Sequence, residues 1–307
     1  MHSKRNSLIE IFRLLAAFWV CYYHGYSLIP RGSYFSNGRI AVEFFFILSG
    51  LFLFKLFKKY ENESLVRGTI YFFWDRLKSI LITFLICWSF TLVNYFTIYI
   101  PNGEYDIPWG FLWFIPRMLF VETLFYLFYR FAKNDWVFLV SISIISIICL
   151  VLVLTYASNS GLVRAFAAIP LGMLVSYIPE IKEKHRHAIC IPMTIIIFVG
   201  VFSISYLLPI PKYEDPIMIL MLFPALLYFA KQVNFKNRII NGVCSISIGV
   251  YCYQNIVGFF QGRNILKTGW LMFIIVLTFA IIDALVKQVF FFIKQKKSQK
   301  QLNPINE

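Results

Sequence analysis

Polar and apolar positions alternate on a coarse scale along this chain: long apolar runs are separated by short polar links. Ten runs stand out, at 8–29, 39–57, 79–100, 109–130, 136–157, 162–178, 188–208, 217–230, 240–260 and 270–293. A run of roughly 17–25 apolar residues is long enough to cross the hydrocarbon core of a bilayer; the sixth and eighth runs are the shortest. Lipid offers the backbone no hydrogen bonds, so such runs must be helices. The pattern predicts an all-α fold, a polytopic membrane helical bundle of about ten transmembrane helices. Residues 1–293 form one membrane-embedded unit, and 294–307 a polar cytoplasmic tail without fixed structure. The links leave no room for a folded soluble domain. The longest, about 58–78, is basic with some acid and predicts a surface helix.

Composition agrees. The chain is 59% hydrophobic and only 14% charged, against about 25% charged for a soluble domain, and its mean hydropathy is +0.71. The formal charge of +14 would suggest nucleic acid in a soluble protein. Here its distribution gives another reason. With the N-terminus in the cytoplasm, 21 of the 29 Lys and Arg residues fall on inner segments, and only Arg31, Arg39, Arg164, Lys212, Arg263 and Lys267 on outer ones. That is the positive-inside bias of membrane proteins. It predicts both termini in the cytoplasm and no nucleic-acid partner. The six cysteines all lie in apolar stretches with no CxxC pair, so small packing residues are expected rather than disulfides or zinc ligands. His185 and His187 sit in an exposed basic link, and no metal site is expected there. The first run is too long and too ionisable for the core of a cleavable signal peptide. Oligomeric state is not encoded in this pattern.

Ionisable residues inside the runs carry the candidate chemistry, because charge at membrane depth is costly and usually marks a pathway or a site. The first run holds Glu10, Arg13 and His24. Eleven residues advance a helix by roughly 1100°, about 20° past three turns, so Arg13 and His24 share one face roughly 16 Å apart along the axis. Histidine is the usual general base near neutral pH. Arg13 either holds an anionic or carbonyl group or pairs with Glu10 on the same face. Arg39 and Glu43 open the second run; they form either a local pair or part of a site in which Glu43, at a depth similar to His24, fixes the imidazole tautomer. Ser49-Gly50 is a small pair among bulky residues, suited to close approach by another helix or a ligand chain. Arg117 and Glu122 are five residues apart and do not stack on one face, so each is expected to meet another helix. Asp283 and Lys287, four apart, fit an ion pair. Trp109, Trp113, Trp136 and Trp270 lie near span ends, as interfacial aromatic belts require.

These residues resemble a known family. Arg13, ten intervening residues and His24 are similar to the R-x10-H signature of the acyltransferase 3 family of integral membrane acyltransferases. AVEFFFILSGLFLF resembles its GV-(D/E)-xFFxxSGFL motif, with Glu43, Phe45, Phe46, Ser49 and Gly50 in place and Ala41 where the family has glycine. FWDRLKSIL is similar to the RxxRI motif, with Arg76 at the first arginine and Ser79 at the second, beside Lys78. Leu112, Trp113, Phe114 and Ile115 resemble an LWFL core. SISIGVYCYQNIVGFF resembles a late S-x-G-IYLIH segment in which Gln254 replaces the histidine.

The resemblance covers the whole chain and implies about ten helices. It implies a membrane O-acyltransferase of the bacterial cytoplasmic membrane. An acyl group, most often acetyl, would move from acyl-CoA to a hydroxyl of a surface polysaccharide or glycolipid. Acetyl-CoA or another acyl-CoA is then a co-substrate, with no bound cofactor; the partners are that donor, a glycan or glycolipid acceptor and the lipid bilayer. His24 would act as general base, with an acyl-imidazole as the covalent alternative. Arg13 would position the donor and Glu43 would complete the catalytic group. Arg76 and Lys78 either meet CoA phosphates or anchor the membrane interface, and Arg117 would line the donor path. The reading from a different class is a transporter or flippase of a glycan or lipid-linked intermediate, with Arg13 and His24 lining its path.

Overall fold

The computed structural model describes residues 5–24, 38–78, 80–102, 113–132, 134–155, 160–207, 217–261 and 269–302, and these residues are helical with no strand. The helices in chain order are α1 (Ser7–His24), α2 (Ala41–Lys59), α3 (Leu65–Leu77), α4 (Leu81–Asn94), α5 (Phe114–Ala132), α6 (Asp135–Thr155), α7 (Gly161–Tyr177), α8 (Glu183–Leu207), α9 (Phe223–Val233), α10 (Arg238–Cys244), α11 (Ser247–Gln261) and α12 (Gly269–Leu302). Each of the ten apolar runs contains helix. The surface helix expected near 58–78 is α3, and the run 240–260 is broken into α10 and α11. The C-terminal tail differs from expectation: α12 continues to Leu302. Lys and Gln are good helix formers, and adding residues to an existing helix needs no new nucleus.

Among the described residues, four stretches are long and apolar enough to cross a membrane: Leu81–Asn102, Asp135–Thr155, Glu183–Ser205 and Leu271–Val289. They carry their apolar side chains outward, as at Val140, Ile144, Ile147 and Val151 of α6 and Ile195, Ile196 and Val199 of α8. These surfaces mark a membrane protein. Helices α1, α2, α5 and α7 are less apolar or shorter for a structural reason: they form the interior and carry the ionisable residues. Buried there, Glu43, Glu122 and Arg164 find partners on other helices rather than facing lipid.

The centre is the pairing of α2 with α7. Glu43 meets Arg164, Gly50 lies on Ile169 and Gly172, and the Phe54 ring packs edge-on to Tyr177 at 4.6 Å. Both chains advance together through these contacts, so α2 and α7 are parallel. A Cβ on Gly50 would collide with the Ile169 carbonyl, and one on Gly172 with the Ile47 carbonyl. Small residues at a crossing let two backbones touch, which is how helices associate tightly in lipid. Ser49-Gly50 is thus a packing pair, and its serine has a second duty described below.

At the N-terminal end of the bundle, α1 is tied to the turn between α9 and α10. Asn6 caps α1 by accepting from the Leu8 amide (3.0 Å). Its own amide donates to the Ala230 carbonyl (2.8 Å). Ser7 donates its amide to Phe235 O (2.7 Å), and its hydroxyl accepts from Asn237 N (2.6 Å). α9 ends at Asn234 in the left-handed region, φ 49°, where asparagine is one of the few residues at ease.

Candidate active site

His24 is the last residue of α1 and half-buried, its ring edge-on to Tyr23 at 5.1 Å. Gly38, in the turn that leads into α2, is pressed against the Trp19 carbonyl and the Tyr23 Cβ so closely that a side chain there would clash. That contact sets the first turn of α2, which holds Glu43, beside the last turn of α1. Ala41 and Phe44, which flank Glu43, lie beside Phe12, Ala16 and Trp19 of α1, so Glu43 belongs to the same end of the bundle as His24 but enters it about two turns deeper along α1.

The ion pair of Glu43, however, is with Arg164 of α7. Both side chains are almost wholly inaccessible, 0% and 2% exposed, and Arg164 Nε donates to Glu43 Oε1. The Arg39 side chain lies outside the described residues. Arg164, assigned from sequence to an outer segment, is an interior residue of α7. Its signal was present in the chain: an arginine in the first turn of the apolar stretch GLVRAFAAIPLGMLVSY is as costly as Arg13 in α1.

Trp113 completes this end of the bundle. The Arg117 guanidinium lies 4.8 Å and that of Arg164 5.7 Å from its ring, so two cations share one indole face system. Arg164 is neutralised by Glu43. Arg117 has no carboxylate partner among the described residues, and its Nη1 lies over Gly161 at the start of α7. Phe45 and Phe46 pack on Phe114 at ring separations of 6.1 and 4.5 Å and hold α2 against α5.

The remaining predicted residues occupy other levels. Arg13 Nη2 pairs with Glu10 Oε2 at 2.5 Å, and its Nε donates to Ser247 Oγ at 2.6 Å. The first signature is thereby fastened to the late S-x-G segment, a partner the sequence did not reveal. Arg76 is bidentate to Glu122, Nε to Oε2 and Nη2 to Oε1, both 2.7 Å, and Nη2 also donates to Ser49 Oγ at 2.7 Å. Ser49 in turn donates to Glu122. Glu122 does meet another helix, as expected, and Arg76 is first of all its counter-ion. Lys78 sits on Asp75, which also accepts from Lys59 (2.6 Å) and from Tyr60. Burial opposes ionisation of Asp75, but the hydrogen bonds from Lys59, Lys78 and Tyr60 outweigh it and hold the carboxyl well below the usual carboxylate range. Asp283 and Lys287 form the expected pair at 2.7 Å, and both bond Thr83 of α4.

The sequence grouped Arg76, Lys78 and Arg117 together. The structure separates them onto Glu122, Asp75 and Trp113 respectively. An apolar cleft of about 640 Å³ opens elsewhere, between Phe12 of α1, Ile191 and Phe198 of α8 and the Phe235–Lys236 turn. Of the charged clusters above, none lines it.

A helical membrane bundle whose described interior holds the buried Glu43–Arg164 and Arg76–Glu122 ion pairs, with an imidazole and the Trp113–Arg117 stack at a common end, has the makings of an enzyme site. Comparison with known proteins gives it a family. The model of the acyltransferase 3 family, described as an acyltransferase domain, matches residues 6–287, and the chain belongs to that family. It is an acyl-group transferase. Comparisons with curated proteins and with solved structures return no match.

Proposed function

We propose that this chain is a membrane O-acyltransferase, with acetyl the favoured group, that uses acyl-CoA as donor and a hydroxyl of a surface polysaccharide or glycolipid as acceptor. In this reading about ten helices cross the bacterial cytoplasmic membrane, and both termini are cytoplasmic. The reading rests on one observation above the others: within an acyltransferase family chain, His24 stands half-buried at the same end as the Glu43–Arg164 pair and the Trp113–Arg117 stack.

The chemistry follows from these residues. His24 takes the proton of the acceptor hydroxyl as its oxygen attacks the thioester carbonyl. The carbon–sulfur bond breaks, and the CoA thiolate leaves with the proton that His24 returns. Glu43, ion-paired with Arg164, locks α2 to α7 at the end of the bundle where His24 stands. Arg117 stabilises negative charge on the acceptor or the developing oxyanion. Arg13, braced by Glu10 and Ser247, positions the donor on the cytoplasmic side. No bound cofactor is needed for these steps.

The test is purified full-length protein in detergent with labelled acetyl-CoA and candidate glycans. Wild type transfers label to a hydroxyl, while His24→Ala inserts and melts normally but loses transfer by a factor of about 10²–10⁴. Unchanged transfer by His24→Ala removes the base from the scheme. Glycan movement across proteoliposomes without acyl transfer would overturn the enzyme reading in favour of transport.

A further inference from the structure

Gln254 in α11 is fully buried, and neither its Nε2 nor its Oε1 has a hydrogen-bond partner among the described residues. A primary amide carries two donors and an acceptor oxygen. Leaving all of them unmatched in a low-dielectric interior is costly, and a buried group of this kind calls for an explanation. Leucine or methionine would fill the same space without that penalty.

Its position supplies the explanation. Asn241 Nδ2 donates to Arg5 O at 3.1 Å, and six residues further on Ser247 Oγ accepts from Arg13 Nε. Both chains advance together, so α1 and the α10–α11 segment run parallel. Gln254 is seven residues past Ser247, roughly 10 Å along the axis and about 20° from the same face. It stands on the stripe of α11 that faces α1, between the levels of Arg13 and His24. Tyr251, one turn earlier, packs on Phe45 of α2 and Phe114 of α5, each at 5.4 Å. This face of α11 therefore lies at the centre of the bundle and not against lipid.

We infer that Gln254 is a donor-binding residue: its amide receives a secondary amide of the pantetheine arm of acyl-CoA, on the path from Arg13 to His24. The inference rests on the acyl-CoA donor of the proposed function. A secondary amide offers one N–H and one C=O, the complement of the glutamine side chain. The pantetheine arm is the part of the donor that must occupy this level if the thioester is to reach His24 from the Arg13 side.

Binding to the purified full-length chain in detergent tests it, with acetyl-CoA and adenosine bisphosphate as probes; the second is the nucleotide end of CoA without the arm. Gln254→Leu and Gln254→Met are expected to bind acetyl-CoA about tenfold more weakly, to bind adenosine bisphosphate as wild type does, and to melt no lower. Acetyl-CoA affinity unchanged in both variants overturns the inference and leaves the amide to the acceptor or to packing. Equal weakening of both probes also overturns it. Wild type that binds neither probe refutes the acyl-CoA donor itself, a separate and recognisable failure that takes the inference with it.

Discussion

Arg164 and Glu43, 121 residues apart in sequence, form a buried ion pair across the α2–α7 contact. Taking either charge out of water is expensive, and the pair is tolerable only because each neutralises the other. Arg164→Met strands the Glu43 carboxylate and is expected to cost about 3–5 kcal/mol. The double variant Glu43→Gln/Arg164→Met removes both charges and should recover most of that stability without recovering activity. Thermal melts of the single and double variants in detergent, alongside transfer assays, check both statements.

The α2–α7 contact itself depends on two absent side chains. Gly50→Leu or Gly172→Leu pushes a carbonyl of the facing helix away, so destabilisation of about 1–3 kcal/mol or more is expected. The effect on transfer should exceed that on the fold, because separating α2 from α7 also moves Glu43 from Arg164. Comparing residual activity at a temperature where the variant remains folded separates the two.

Arg76, Glu122 and Ser49 act as a unit. Ser49→Ala removes a hydrogen bond to charged groups, worth about 1.5–3 kcal/mol. Glu122→Ala leaves Arg76 without its carboxylate and is expected to cost more, about 3–5 kcal/mol. Because Ser49 touches both ions, the double variant should be less damaging than the two losses added. A double-mutant cycle on melting free energies measures the difference.

Asp75 predicts an acid dependence. Its folded-state pKa lies below the unfolded value, so the stabilisation is complete above the unfolded carboxylate pKa of about 4. It is lost as pH falls from there towards the folded pKa. Asp75→Asn should melt lower than wild type at neutral pH and converge with it on acidification. Melting temperatures of both proteins across pH 7 to 3 test this; parallel curves would show that Asp75 carries no such linkage.

Several residues of the candidate site are legible in the chain itself. Arg13, His24 and Glu43 stood out because an ionisable residue in an apolar run has few bland explanations. Glu122 was correctly expected to meet another helix, since five residues put it off the face of Arg117. The partners were not readable. Nothing local says that Arg76 reaches Glu122 and not a ligand, or that Ser247 receives Arg13. Arg164 was hidden by the charge count, which treats a basic residue near a span end as part of a loop.

Local pattern by itself placed a helix in each apolar run, because an apolar run in lipid must satisfy its own backbone and can do so within itself; it did not show the break between α10 and α11 or the extension of α12 to Leu302. It also singled out the few ionisable residues that lie inside the apolar runs. Only the tertiary structure decided how those residues are paired. Pairing depends on the rotation and axial offset of one helix against another, set by contacts such as Gly50 on Ile169 and Gly38 on Tyr23. Those contacts join residues far apart in the chain, and no periodicity within a single helix records them.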